Sequence, residues 1–169
     1  MNCFILILPV FLFRYVLVAC INKAKLHDLN FFPPGNRLEE TARKTYLLFN
    51  TALLFIPVFL DMKRGIIPSV GIMLYGISLI IYILSILSFC LSHGLVHKGL
   101  YLYSRNPQAL SFIILYFSIT LISKTWIYGL MLLPLVWSFK MISLSEERWC
   151  KNKFGYQWEE YFRSTRRFI

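Results

Sequence analysis

Five apolar runs divide the chain, at about 3–21, 46–61, 66–92, 108–123 and 125–143, and short polar clusters separate them. Runs of this kind read as membrane-spanning helices, because a hydrocarbon core of about 30 Å takes roughly 20 apolar residues in helical form. The second run is short for that thickness and requires a thin place or borrowed flanking residues. The third is long and carries Pro68 near its start, where proline is tolerated. Lys124 alone separates the last two, which predicts a tight helical hairpin. The expected fold is all-α: one domain over 1–169, a polytopic transmembrane bundle of about five spans with a cytosolic C-terminal helix.

Composition agrees with the pattern. Hydrophobic residues make up 57% of the 169 and charged residues only 15%, and mean hydropathy is +0.60, which excludes an ordinary soluble domain. The first run is read as a retained span rather than a signal peptide, since no Lys or Arg precedes it and Arg14 lies inside it. Cys3, Cys20, Cys90 and Cys150 form no CxxC pair, so neither a disulfide framework nor a zinc site is expected.

The net charge of +10 changes the picture through its placement. Lys23, Lys25, Arg37, Arg43 and Lys44 lie in the loop 22–45, and Lys98 and Arg105 in the loop 93–107. Arg148, Lys151, Lys153, Arg163, Arg166 and Arg167 lie in the tail, and these thirteen face only Lys63, Arg64 and Lys124 on the other side. Short loops with this bias predict an outside N-terminus and a cytosolic C-terminus, and explain the charge without nucleic acid. Arg14, alone within the first span, is expected to snorkel to the cytosolic edge, the alternative being to face the bundle and pair with a polar group. The loop 22–45, broken by Phe31-Phe32-Pro33-Pro34-Gly35, should resume helix near Leu38 and could lie over the site.

Charge is scarce in such a chain, so polar clusters at both ends of the final double span mark a candidate site. His93-Gly94-Leu95-Val96-His97-Lys98-Gly99-Leu100-Tyr101 leads into Arg105-Asn106-Pro107, and Ser145-Glu146-Glu147-Arg148 follows the second helix. Two helices of about 18 residues rise roughly 27 Å out and back, which returns Glu146 to the level of Arg105. Structural explanations compete at each position. Ser143 with Glu146 fits a capping box, Glu147 with Lys151 and Glu159 with Arg163 fit surface pairs. Arg105 could anchor a headgroup and Pro107 could start a helix; Tyr156, Trp158 and Tyr161 fit an interfacial belt. His93 and His97 stand one turn apart with no third ligand nearby, so no metal is expected.

At these residues the chain resembles the isoprenylcysteine carboxyl methyltransferase and phospholipid methyltransferase families of membrane enzymes. Leu95-Val96, Gly99, Tyr101, Arg105-Asn106-Pro107, Glu146-Glu147, Phe154-Gly155, Trp158, Tyr161 and Arg167 follow the shared pattern in order. The resemblance implies S-adenosylmethionine bound at the cytosolic face by the half 93–169. It places His93, Gly94, Leu95, Val96, Tyr101, Asn106, Pro107, Gln108, Ala109 and Glu146 at the cofactor and assigns no catalytic residue; Gly99, for close backbone approach, Arg105, for a carboxylate, and Glu147, beside Glu146, join the candidates on their own chemistry. It implies methyl transfer to a lipophilic acceptor: a prenylcysteine carboxylate, an aminophospholipid or another amphiphile entering from the bilayer. Asn106 and Ala109 depart from the family's Arg-His-Pro-x-Tyr, and Ile142 stands where the isoprenylcysteine enzymes carry a substrate-contacting Arg.

Two other classes compete. Sterol-reductase-like enzymes share a related C-terminal signature and use a dinucleotide phosphate, but place Asn-Tyr after the proline, where this chain has Gln108-Ala109. A non-catalytic member would keep the fold as a scaffold or lipid-binding protein.

Overall fold

The computed structural model describes residues 2–29, 31–92 and 94–168, and among them it is helical with no strand beyond a single bridge between Asn2 and Asp61. The first helical rod, α1 (Cys3–Asn22), passes from a 3-10 turn through a short α-helix into a π-helical stretch at Leu12–Leu17. A short α2 (Lys25–Asp28) follows, then α3 (Arg37–Phe55), α4 (Ile66–Leu91), α5 (Pro107–Ser123), α6 (Trp126–Phe154) and α7 (Tyr156–Ser164). The all-α class holds.

Among the described residues, three helices, α1, α4 and α6, are long and apolar enough to cross a membrane, where five spans were expected. The run 46–61 belongs to α3, whose first two turns carry Arg37, Glu39, Glu40, Arg43 and Lys44, and whose end tightens into a 3-10 turn at Ile56–Phe59. The 17 residues of α5 rise only about 26 Å, short of the hydrocarbon thickness.

Helix ends follow from sequence chemistry. Asn36 caps α3 in a true capping box: its side chain accepts from the Glu39 N–H, and Glu39 accepts from the Asn36 N–H. Ser143 and Glu146, read as a box from spacing, instead lie inside α6, where no N-cap exists. Lys124, at φ 54°, turns the chain sharply out of α5. The turn is tight as expected, yet the helices it joins are not each other's chief neighbours: α5 packs on α4, and α6 packs on α3. Gly71 explains the first pairing, since a Cβ there would sit 2.8 Å from Ile122 Cγ1 and 2.9 Å from the Ser118 carbonyl. Small residues let helix backbones approach where lipid offers no hydrophobic drive. The second pairing is built by rings and hydroxyls: Tyr46 lies 5.4 Å from Phe139, and Tyr128 donates to the Leu53 carbonyl at 2.8 Å.

Contacts at the helix ends sort the bundle into two poles. At one, the Cys3 N–H bonds the Leu60 carbonyl and the Lys63 N–H bonds the Ile122 carbonyl. At the other, Asn22 donates to the Cys90 carbonyl, and Arg148 pairs with Glu39. The segments 22–29, 31–36, 94–106 and 146–168 therefore gather at one pole, where the cavity opens.

Candidate active site

Glu146 and Glu147 lie on the last turns of α6 and turn to different surroundings. Glu147 is buried, accepts from two Arg167 nitrogens (Nε at 2.7 Å, Nη2 at 2.8 Å) and stands 3.2 Å from Arg105 Nη2. This bidentate pairing holds Arg167 more firmly protonated, through its hydrogen bonds to Glu147. The tail is stitched to the segment before α5, which includes a 3-10 turn at Gly99–Leu102. Arg105 N–H bonds the Arg166 carbonyl at 2.9 Å, and the Arg167 carbonyl accepts from the Asn106 backbone, the Asn106 side chain and Ser104. Tyr161 donates to the Tyr101 carbonyl at 2.7 Å. The residue that departs from the family's histidine, Asn106, thus fastens the tail.

Glu146 is half-buried and has no ion-pair partner among the described residues. It lines a cavity of about 750 Å³, within the range of small-molecule sites. Gly94, Leu95, Val96, Tyr101, Arg105, Asn106, Gln108, Ala109 and Glu147 line the same cavity. The loop before α5 and the end of α6 meet as the out-and-back geometry requires. Gly99 and Pro107 do not line it: a Cβ at Gly99, whose φ is 63°, would collide with Ser88 Oγ, so this glycine lets the loop lie against α4. Pro107 is the first residue of α5. His93 lies outside the described residues.

Arg105 is 7% exposed, stacks 4.0 Å over Phe162, and keeps Nε and Nη1 buried with no hydrogen-bond partner. Desolvation lowers its pKa against the pull of Glu147. Two orphaned donors on a buried guanidinium are costly unless a ligand takes them. Burial pushes the Tyr101 phenol well up, keeping it a neutral donor.

The cavity also has walls that carry no motif. Arg14, Lys25, His27, Phe31, Phe32 and Pro33 reach it from the N-terminal segments, Tyr46 from α3, and Phe89 from α4. Phe31 lies 5.3 Å from Trp149, so the loop 22–45 does cover the site. Arg14 corrects the snorkelling expectation: it lines the cavity and donates from Nη2 to the Leu29 carbonyl at 3.0 Å. The single charge in an otherwise apolar run was the available signal. The surface pairs read from spacing also re-sort, with Lys151 bonded to Glu159 at 3.1 Å rather than to Glu147. Among the described residues no group of three His, Cys, Asp or Glu could hold a metal ion.

Apolar rods long enough to cross a membrane, with a ligand-sized cavity of mixed polarity at one pole, are those of an integral membrane protein with room for a small molecule. Residues 69–157, more than half of the chain, match the phospholipid methyltransferase family, and the chain belongs to it. That stretch contains α5, nearly all of α4, α6 and the loop between, and so most of the cavity's motif-bearing wall. No curated protein and no solved structure matches the chain. Family membership supports methyltransferase activity at a membrane.

Proposed function

We propose that the chain transfers a methyl group from S-adenosylmethionine to a lipophilic acceptor at the cytosolic membrane face. The observation that carries this reading is the meeting of an unpaired Glu146 with the loop 94–109 around one cavity within the family-matched residues. The donor set fits the cofactor. Glu146 is free to accept from an ammonium or ribose hydroxyl, Arg105 has two N–H groups for a carboxylate, and Gly94, at φ 84°, leaves its backbone open to close approach. Tyr101 supplies an aromatic face for the adenine or the sulfonium.

When bound, S-adenosylmethionine would supply a methyl group activated by its sulfonium. The protein's own task is alignment and exclusion of water. The Glu147–Arg105–Arg167 clamp holds the loop against α6, and Phe31, Phe89, Phe112 and Phe139 give the cavity its dry side. The half 93–169 serves as the cofactor-binding half of a single domain. The charge difference between the two poles favours an outside N-terminus and a cytosolic cavity. Ile142 lines the cavity as an apolar residue, which together with the family match favours a phospholipid amine over a prenylcysteine carboxylate as acceptor.

The test is equilibrium binding of S-adenosylmethionine to protein in nanodiscs, wild type beside Glu146→Ala. Saturable binding that weakens at least tenfold in the variant is expected, a loss of about 1.4 kcal/mol. Absence of binding to folded wild type, or tight binding of a reduced dinucleotide phosphate instead, would overturn the reading.

A further inference from the structure

We infer that the rings of Trp149 and Phe154, near the end of α6, form a station for the methylated ammonium of a lipid headgroup, which displaces the Lys153 ammonium now standing there. The inference rests on the methyl-transfer reading above and deepens it: that reading concerned the cofactor, and this one concerns the acceptor. Ile142, Glu146, Trp149 and Lys153 follow one another three or four residues apart, so they form one stripe of α6, and all four line the cavity. The stripe runs from an apolar residue through a carboxylate to an indole and an ammonium. Trp149 meets Phe154 with ring centroids 6.2 Å apart and planes at 83°, which makes an aromatic corner. Phe31, from the loop over the site, adds a third ring 5.3 Å from Trp149. Lys153 Nζ stands in this corner, 4.4 Å from the Trp149 centroid and 5.5 Å from that of Phe154.

The resident ammonium shows what the rings attract, since an aromatic face draws a cation within about 6 Å. Lys153 is nevertheless a weak occupant: its primary ammonium is compact and strongly hydrated, and the residue is exposed, so it can leave for water. An ammonium that has gained methyl groups keeps its charge but loses N–H donors. Water and carboxylates then serve it less well, and ring faces serve it better. The corner also borders the loop assigned to the cofactor, because a Cβ at Gly94 would stand 3.9 Å from Phe154 Cε1. Phe139 and Ile142 line the cavity about 10–15 Å back along α6, where an alkyl chain finds its dry side. A headgroup that has received one methyl is therefore held better than one with none, which suits repeated transfer to the same lipid.

The test is equilibrium binding of labelled dodecyltrimethylammonium to the whole protein in dodecyl maltoside, competed with dodecylammonium and with the neutral isostere 2,2-dimethyltetradecane. Wild type is expected to bind the trimethylammonium about fivefold tighter than either competitor. A tighter primary ammonium would assign the cation to a carboxylate and overturn the station, and so would a neutral isostere that competes equally. Trp149→Leu is expected to lose about fivefold in affinity; unchanged binding by the folded variant refutes the assignment. Lys153→Met should gain about threefold by vacating the corner. Lys151→Met removes the same charge from a residue paired with Glu159 and outside the cavity lining, and should gain nothing. Equal gains in the two lysine variants would mean general charge rather than a vacated corner, against the inference. If Trp149→Leu does not fold, the wild-type order and the lysine pair decide. Saturating S-adenosylmethionine should leave trimethylammonium binding intact, and full displacement would give the rings to the cofactor and sink the station. Failure of the wild type to bind S-adenosylmethionine, with the ammonium order as expected, would instead strike the function reading and leave the station as a binding site.

Discussion

The two halves of the cavity wall teach different things. The C-terminal wall, from Gly94 to Ala109 and from Ile142 to Phe154, is built from short motifs whose order along the chain suffices to name the family. The N-terminal wall, with Arg14, Lys25, Phe31 and Tyr46, carries no motif and lies before the family match at residue 69. The difference fits a division of labour. Under the proposed function, residues that hold the cofactor would repeat in order across the family, whereas residues that select an acceptor would be free to come from any element that reaches the cavity.

The largest effect is expected at the clamp on which the C-terminal wall depends. Glu147→Ala leaves Arg105 buried without its carboxylate and frees Arg167, which is expected to cost about 3 kcal/mol and lower the melting temperature markedly. Thermal unfolding in detergent reads it; a variant as stable as wild type would mean the tail is not fastened this way. Gly99→Ala should come next, at about 1–2 kcal/mol, because φ 63° disfavours a side chain and Ser88 occupies its place. The same melt reads it, and an unchanged midpoint would show that the loop can leave α4 freely.

Smaller effects are expected on the N-terminal side. Glu39→Ala removes both a capping-box carboxylate and the partner of Arg148, which joins α3 to α6. About 1 kcal/mol is expected, since Arg148 is half in solvent. Cofactor affinity should hardly move, and a large loss of S-adenosylmethionine binding would place this junction closer to the cofactor than the two-wall division allows. Glu40→Ala breaks only an exposed i,i+4 pair with Lys44 and should change stability by less than about 0.5 kcal/mol.

Much of the fold was legible because apolarity is a one-dimensional signal. All five apolar runs became helix, and the loop over the site was visible in its prolines. Length arithmetic was less secure: α3 looked like a span from Tyr46 onward, but its first turns are charged, and its other face is used on α6. Pairing was not legible at all. Lys124 implied a hairpin of adjacent helices, whereas the fit of Gly71 against Ile122 and Ser118 sends α5 to α4. Adjacent carboxylates were equally ambiguous, since Glu146 and Glu147 differ by one residue in sequence and by 100° around the helix. Only tertiary structure assigns one to the clamp and the other to the cavity. Arg14 was conspicuous as a charge, but its direction depended on where the Leu29 carbonyl would lie.

Under the proposed function, the cavity between the loop 94–109 and the end of α6 holds S-adenosylmethionine. Ultraviolet cross-linking of methyl-labelled S-adenosylmethionine to protein in nanodiscs, followed by peptide mapping, tests it most directly. Label on peptides containing Tyr101 or Trp149, competed away by unlabelled cofactor and reduced in Glu146→Ala, is the expected result. Competable label confined to the opposite pole, around Asp61 to Gly65 or Lys124, would contradict the account.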